Sequence, residues 1–276
     1  MADYKEKTLT LRYRILSAVL FLPILIWWIY WSCDWPFLLL ITAILLIGLG
    51  EYFSMMNFKG ISCNEILGYL SVALFPLLFR SGSLAYPAFL LTLIFMAVLV
   101  SQIFKKVDYN SLLQSVSATF LGIVYIGWLP AHLLALKSLP GGNNLVFYVF
   151  AVTWIGDSCA YFIGNRWGRH KLVTSVSPNK SKEGIIAGMS GSILAAFLFV
   201  IIFRVPPNHY LFYSASAIII GIFAIFGDLS ESLLKRSIHI KDASDIIPGH
   251  GGILDRFDSI FFAAPVMYYL AISLLL

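Results

Sequence analysis

Long apolar runs separated by short polar segments form the main pattern along the chain. A helix needs about 20 apolar residues to cross a bilayer, and runs close to this length recur along the whole sequence. The third run is the weakest, because Pro76 interrupts a short apolar core. The pattern predicts an all-α, polytopic integral membrane protein. The predicted transmembrane helices, about nine in number, cover residues 15–31, 36–54, 64–80, 84–104, 113–136, 144–163, 184–203, 210–233 and 259–276.

The composition supports this interpretation. The chain has 276 residues, of which 59% are hydrophobic and 12% are charged, whereas a soluble globular domain carries about 25% charged residues. No polar linker divides the sequence. We therefore expect one membrane domain over residues 1–276, with helices of uncertain role in 1–140 and a catalytic part in 144–276.

The distribution of basic residues orients the predicted helices. If the N-terminus is cytoplasmic and the helices alternate in direction, all but three of the 19 Lys and Arg residues fall on the cytoplasmic side. The positive-inside rule strongly favours this orientation. The net charge of +5 then fits loops that face anionic lipid or phosphate substrates, and no nucleic acid partner is expected. The three basic residues left outside are Arg80, Lys137 and Arg204.

Acidic residues concentrate in the C-terminal part of the chain. Asp157, Asp228 and Glu231 interrupt runs that otherwise resemble membrane spans. A carboxylate within a span costs about 2.5 kcal/mol or more on insertion scales, so such residues usually face a wet cavity and have a function there. Asp255 and Asp258 form a second pair, three residues apart, just before the last predicted span.

These carboxylates suit divalent cations. Mg²⁺ prefers oxygen ligands and is commonly held by one or two carboxylates together with substrate phosphates. Two such ions about 4 Å apart suit an in-line phosphoryl displacement. Lys235 shares a helix face with Asp228 and Glu231 through i, i+3, i+7 spacing. The alternative interpretation is that the acids form structural salt bridges with Lys235, Arg236 and Arg256.

A polar, glycine-rich segment, KDASDIIPGHGG at 241–252, precedes the last predicted span. Glycines such as Gly251 and Gly252 allow positive φ and let backbone N–H groups approach an anion closely. His250 could donate to a phosphate oxygen. The segment is therefore a candidate cradle for a triphosphate, the alternative being a tight connection between two helices. Four basic residues flank it: Lys235, Arg236, Lys241 and Arg256.

A second polar segment, 164–183, follows the sixth predicted span. Gly164 and Gly168 would let helices pack closely. Ser177 or Ser181 is expected to cap the next helix, with Glu183 contributing. Basic residues here could bind a lipid or nucleotide phosphate, or could only set the membrane topology. The candidate substrate-binding residues of this region are Asp157, Tyr161, Ser177, Lys180, Lys182 and Glu183.

At these residues the sequence resembles the phosphatidate cytidylyltransferase (CDP-diacylglycerol synthase) family. The stretch SLLKRSIHIKDASDIIPGHGGILDRFD, from Ser232 to Asp258, agrees at every fixed position with the family signature, including Lys-Arg, Lys-Asp, His-Gly-Gly and Asp-Arg-apolar-Asp. A second similar stretch runs from Asp157 to SPNKSKEG at 177–184, with Asn179 where many members carry Lys. The first half of the chain matches only as a series of apolar spans.

The resemblance implies that CTP and phosphatidate react to give CDP-diacylglycerol and pyrophosphate. It implies Mg²⁺ as cofactor, with two divalent ions expected and a monovalent cation as a further candidate. It also implies a membrane fold that commonly forms a homodimer. The implied metal ligands are Asp228, Asp255 and Asp258, with Glu231 as a further candidate. Catalytic roles are expected for the same three aspartates and for Lys235, Arg236 and Arg256, and substrate contacts for Lys241, Asp242, His250, Gly251 and Gly252.

The compact chain resembles bacterial members of the family, which predicts a plasma (inner) membrane location with the active site facing the cytoplasm. A phosphate monoester has a second pKa of about 6, so phosphatidate is a competent nucleophile without a general base. Three other functions are compatible with parts of the pattern. These are a cation-coupled transporter, a cytidylyltransferase or kinase for another lipid, and a scaffold that binds anionic lipid.

Overall fold

The computed structural model describes residues 22–31, 33–104, 109–173, 176–240, 243–244 and 251–275. Most of these residues are helical. The helices are α1 (22–30), α2 (Trp35–Phe58), α3 (Glu65–Phe79), α4 (Ala85–Ile103), α5 (Tyr109–Gly122), α6 (Leu129–Lys137), α7 (Gly142–Trp167), α8 (Lys182–Ile202), α9 (Tyr210–Ser237) and α10 (Leu254–Leu274). A π-helical segment, Ile123–Trp128, joins α5 to α6, and a 3₁₀ turn, Pro207–His209, precedes α9.

Within the described ranges, 7 helices are long and apolar enough to cross a membrane. They are α2, α4, the continuous α5–α6 segment, α7, α8, α9 and α10. The remaining predicted spans correspond to α3, which has 15 residues, and to α1, whose predicted span begins outside the described residues. The prediction of an all-α protein with several membrane-spanning helices is confirmed. The full count of crossings and the side of the N-terminus stay predictions.

Contacts between helix termini define two ends of the bundle. At the loop end, where α2 and α9 finish and α10 begins, the Lys59 ammonium donates to the carbonyl of Ser237. At the distal end, Asp34 lies 4.0 Å from Arg80 and 3.8 Å from Lys137. The last turn of α8 also lies at this end, because the Phe203 ring is 5.5 Å from the ring of Phe147 on α7, and Lys137 donates to Asn143 at the start of α7. The basic residues predicted to lie outside therefore share the distal end. They are Arg80 after α3, Lys137 at the end of α6 and Arg204 after α8.

Helices α7 and α8 pack along each other through small residues, as expected where apolar lipid gives no hydrophobic drive for association. A Cβ built on Gly164 would lie 3.4 Å from the Cα of Gly184, and one built on Gly188 would lie 3.1 Å from the Cβ of Ala160. The backbones of Gly164 and Gly184 thus lie close together, as predicted for Gly164, although one added methyl group at Gly164 would still make ordinary contacts. Gly168 instead faces the side chain of the residue that caps α8.

The all-α prediction missed one element, a two-stranded antiparallel hairpin. Strand β1 (Lys171–Val173) pairs with β2 (Ser177–Ser181), so that Val173 lies opposite Ser177. This pairing places Ser177 in a strand, away from the start of α8. Ser181 is the cap, since its hydroxyl accepts from the N–H of Gly184 at 3.1 Å.

Helices α9 and α10 meet closely at Gly227. A Cβ built there would lie 2.5 Å from the carbonyl oxygen of Asp258. We expect Gly227→Ala to lower the free energy of unfolding by about 1–3 kcal/mol, since overpacking forces backbone shifts. Thermal unfolding in detergent measures this effect, with Gly164→Ala as the matched control, because its added methyl meets only ordinary contacts at 3.4 Å. Equal stability of the two variants would contradict the prediction.

Candidate active site

Carboxylates from three helices meet near the loop end. Asp157 on α7, Asp228 on α9 and Asp258 on α10 interact electrostatically with one another, and Asp258 also interacts with Glu231. Asp157 further hydrogen-bonds the side chain of Ser259. The acids that interrupt the predicted spans therefore lie together with one acid from the last helix. We call Asp157, Asp228, Glu231 and Asp258 the acidic cluster.

The hairpin contributes a cation to this cluster. Lys180 on β2 places its ammonium 2.6 Å from the Oδ2 atom of Asp228. The hydroxyl of Ser232, one turn further along α9, donates to Oδ1 of Asp228 at 3.4 Å. The polar segment between α7 and α8 thus folds back onto α9. Lys180, a predicted substrate-binding residue, neutralises Asp228 in this structure.

A buried lysine links two further acids. The ammonium of Lys235 lies 2.7 Å from Oε2 of Glu231 and also donates to Oδ1 of Asp255. The other Asp255 oxygen accepts from the N–H groups of Ala243 at 3.1 Å and Gly252 at 2.8 Å. Glu231 and Asp255 therefore form salt bridges with Lys235, as the alternative interpretation of the acidic residues predicted. Both Asp255 oxygens are thus engaged by the protein itself, as both Asp228 oxygens are by Lys180 and Ser232.

The acidic cluster has the donor chemistry for Mg²⁺ but not a complete protein ligand set. The part of the chain that the structure describes contains no group of three or more His, Cys, Asp or Glu side chains placed to hold a metal ion. Two buried oxygens, Oε1 of Glu231 and the hydroxyl of Tyr125, have no hydrogen-bond partner among the described residues. Mg²⁺ is commonly held by one or two carboxylates plus substrate phosphates. A site on Asp228 and Asp258 that the substrate completes fits these residues, and a cage made only of protein ligands does not.

The two predicted catalytic arginines differ in their surroundings. The Arg236 guanidinium donates to the carbonyl of Ile240 at 2.9 Å and to that of Val176 at 3.4 Å. It therefore connects the end of α9 to the hairpin. Arg256 is exposed on the first turn of α10. Of the two, Arg256 is the more open to an incoming phosphate.

Side chains at the junction of α7, the hairpin and α8 form a separate group. Oε1 of Glu183 lies 2.6 Å from Nδ1 of His170, and the same carboxylate accepts from the His170 N–H at 3.2 Å. Glu183 therefore joins the start of α8 to the chain that enters the hairpin. Tyr161 is 58% exposed, and Lys182 is also exposed. These two predicted substrate-binding residues are open to the surroundings of the protein.

Three predicted residues of the glycine-rich segment, Lys241, Asp242 and His250, lie outside the described residues. Gly251 has a φ of +78°, as its predicted role in a turn requires. A Cβ on Gly252 would lie 2.6 Å from Oε2 of Glu51. The close approach that Gly252 permits is thus to a carboxylate of α2, and its N–H is donated to Asp255.

Glu51 is the residue of this region that the sequence analysis missed. It is 3% exposed and accepts from the hydroxyl of Ser244 at 2.5 Å and from the N–H groups of Ile253 and Leu254, both at 2.9 Å. N–H groups at the start of a helix have no partner within the helix. Their capture by Glu51 accounts for the start of α10 at Leu254, five residues before the predicted position. The available signal was a lone acid inside the second predicted span.

Comparison of the sequence with known proteins identifies the family of this chain. The profile of the cytidylyltransferase family matches residues 12–274. A phosphatidate cytidylyltransferase of Bacillus subtilis (strain 168) is 32% identical over 277 residues, covering 98% of this chain and 98% of that protein. A protein of the same name in Staphylococcus haemolyticus is 33% identical, covering 98% of this chain and 100% of that protein. Another, in Synechocystis sp., is 30% identical, covering 87% of this chain and 90% of that protein. The chain therefore belongs to the cytidylyltransferase family.

Proposed function

We propose that this protein transfers the cytidylyl group of CTP to phosphatidate, giving CDP-diacylglycerol and pyrophosphate for phospholipid synthesis. The observation that carries the proposal is the acidic cluster, assembled from α7, α9 and α10 at one end of a membrane-type bundle. Relatives named phosphatidate cytidylyltransferase match this chain over nearly its full length, which supports the same assignment. The protein is thus a nucleotidyltransferase whose substrates are one soluble nucleotide and one membrane lipid.

In the proposed reaction, a phosphate oxygen of phosphatidate attacks the α-phosphorus of CTP in line. The bond from the α-phosphorus to the oxygen that bridges it to the β-phosphorus breaks, and pyrophosphate leaves. No general base is needed, because the phosphate monoester is already ionised near neutral pH. The residues of the chain therefore act by positioning the two substrates and by balancing their charge.

Asp228, Asp255 and Asp258, with Glu231 as a further candidate, would hold Mg²⁺ together with the phosphates of CTP. Two divalent ions with an accompanying monovalent cation are part of the proposal. When bound, such ions neutralise phosphate charge and favour departure of pyrophosphate. Lys180, 2.6 Å from Asp228, lies where its ammonium can transfer from that carboxylate to a substrate phosphate. Arg256, which is exposed on the first turn of α10, offers a second cation.

The proposed topology has nine crossings, a cytoplasmic N-terminus and a loop end that faces the cytoplasm across a bacterial plasma membrane. Its support is that Arg80, Lys137 and Arg204, the few basic residues expected outside, share the distal end. CTP is a cytoplasmic metabolite, so this orientation gives the acidic cluster access to it. Phosphatidate would enter from the inner leaflet.

Labelling of single-cysteine variants tests the orientation. Cys33 is exposed at the distal end, next to the first turn of α2. In intact cells we expect a membrane-impermeant maleimide to label Cys33. It should label a Lys59→Cys variant that lacks the natural cysteines only after the membrane is permeabilised. The reverse pattern would contradict the proposed orientation.

Pyrophosphate release by purified protein in detergent tests the reaction, with CTP, Mg²⁺ and phosphatidate each omitted in turn. We expect release only when all three are present, accompanied by a CDP-lipid product. Release with another lipid acceptor but not with phosphatidate would support the cytidylyltransferase chemistry and reject this substrate. Absence of release by folded protein with any acceptor would reject the function. The proposed homodimer is tested separately by the mass of the detergent-solubilised particle.

A further inference from the structure

One side chain of the N-terminal part reaches the region around the acidic cluster. Glu51 on α2 is 3% exposed, yet the structure shows no lysine or arginine in an ion pair with it among the described residues. A buried carboxylate within a membrane span is costly and is usually kept for a function. Glu51 is therefore a candidate for a functional role.

Glu51 accepts three hydrogen bonds, all from the region around the start of α10. Oε1 accepts from the Ser244 hydroxyl and from the N–H of Ile253, and Oε2 accepts from the N–H of Leu254. Two of the three donors belong to the start of α10, where the helix dipole favours a negative charge. Charge-assisted bonds of this kind are stronger than bonds between neutral groups. Glu51 therefore holds the first turn of α10 against α2, and no described lysine or arginine forms an ion pair with it.

Asp255 accepts hydrogen bonds from the same two stretches of chain as Glu51. Asp255 accepts from the N–H groups of Ala243 and Gly252, which are the immediate neighbours of donors to Glu51. The two carboxylates, one from each part of the chain, thus fix the same two short stretches of backbone. Asp258 follows Asp255 by one turn on α10 and belongs to the acidic cluster. Any shift of the first turn of α10 moves Asp258 relative to Asp228.

We infer that Glu51 is a positioning residue of the active site, which sets the first turn of α10 so that Asp258 meets Asp228 in the arrangement that binds CTP. This inference rests on the proposed function and assigns a role to the N-terminal helices. Glu51 does not touch the reacting atoms. It acts through the backbone of Ile253 and Leu254.

The test compares Glu51→Gln, Glu51→Asp and a matched control, Glu65→Gln. Glu65 is also a helix carboxylate in the N-terminal part, but it is exposed, and its one partner among the described residues is the exposed Asn57 amide at 2.9 Å. For each protein, kcat and the KM values for CTP and phosphatidate are measured. The increase in Tm caused by CTP is recorded as a readout that does not depend on turnover.

We expect Glu51→Gln to lower kcat/KM for CTP about 10- to 100-fold, as loss of an outer partner of a metal-type site does. Most of the loss should appear in KM for CTP, the CTP-induced rise in Tm should shrink, and KM for phosphatidate should change less. Glu51→Asp keeps both oxygens and the charge, so it should recover part of the loss. Glu65→Gln should resemble the wild type.

A folded Glu51→Gln protein whose KM for CTP and CTP-induced Tm rise match the wild type would overturn the inference, even if its basal Tm were lower. If Glu51→Gln does not fold, Ser244→Ala removes a single donor and should raise KM for CTP in the same direction. An unchanged KM in Ser244→Ala would then overturn the inference. A folded wild type that makes no product from CTP and phosphatidate would instead overturn the proposed function, and this inference with it.

Discussion

Replacing Asp258 with asparagine is expected to reduce turnover at least about 100-fold, the scale seen when one preorganised electrostatic group is removed from an active site. Asp258 interacts electrostatically with Asp157, Asp228 and Glu231, and it is half-buried on the second turn of α10. Asparagine keeps the shape and can still accept the Ser259 N–H, which the carboxylate accepts at 2.6 Å. Asparagine lacks the negative charge that would bind a metal cation or a cationic side chain.

The stability of this variant separates a catalytic effect from a folding defect. Removing one of several like charges relieves repulsion within the acidic cluster, so Asp258→Asn should unfold at the wild-type temperature or above. Asp34→Asn is the matched control, because Asp34 makes its ion pairs with Arg80 and Lys137 at the distal end. The measurements are pyrophosphate release at saturating substrates and Tm in detergent. Turnover within about threefold of the wild type would refute a catalytic role for Asp258.

Lys235→Met is expected to destabilise the protein by about 3–5 kcal/mol, the usual cost of removing one partner from a buried ion pair. The Lys235 ammonium is the shared partner of Glu231 and Asp255, and Glu231 is 2% exposed. Methionine fills much of the same volume but leaves two carboxylates facing each other without a cation. Activity should fall as well, because Asp255 also orders the backbone of Ala243 and Gly252.

A double variant identifies the cause of that loss. Adding Glu231→Gln to Lys235→Met removes one of the two uncompensated charges, so it should restore part of the stability and little of the activity. Lys59→Met is the control, since Lys59 is exposed and donates to a backbone carbonyl of Ser237. Thermal unfolding in one detergent compares all four proteins. A Tm for Lys235→Met equal to that of Lys59→Met would contradict the assignment of a buried ion pair.

Local pattern was sufficient to predict the helices. The weak third span, predicted over 64–80, is α3 at Glu65–Phe79, with Pro76 inside the helix. Asn64 fixes the start of α3, because its side chain caps the helix by accepting from the Leu67 N–H at 3.3 Å. Glu231 and Lys235 were likewise placed correctly on one face of α9, as their ion pair at 2.7 Å shows. Periodicity and capping are properties of neighbouring residues, so the sequence reveals them directly.

Partnerships across the chain could not be predicted in the same way. The pairing of Lys180 with Asp228 was not predicted, because it depends on the unpredicted hairpin that turns β2 towards α9. Spacing likewise did not reveal that Asp255 accepts from Lys235 and from the N–H groups of Ala243 and Gly252. Each partner was a plausible choice among several charges of the same sign. Only the packing of the helices selects one of them.

The bonds of Glu51 have a consequence for how the protein is made. Its partner Leu254 is 203 residues later in the chain, and a ribosome adding about 5–20 residues per second needs roughly 10–40 s to reach it. During that interval α2 must enter the bilayer with its carboxylate unmatched. The mean hydropathy of 2.0 in this span supplies the compensating apolar contribution. Newly inserted α2 is therefore an assembly intermediate whose Glu51 carboxylate lacks its donors Ser244, Ile253 and Leu254 until the last helix arrives. The order of helix release is thus a determinant of yield.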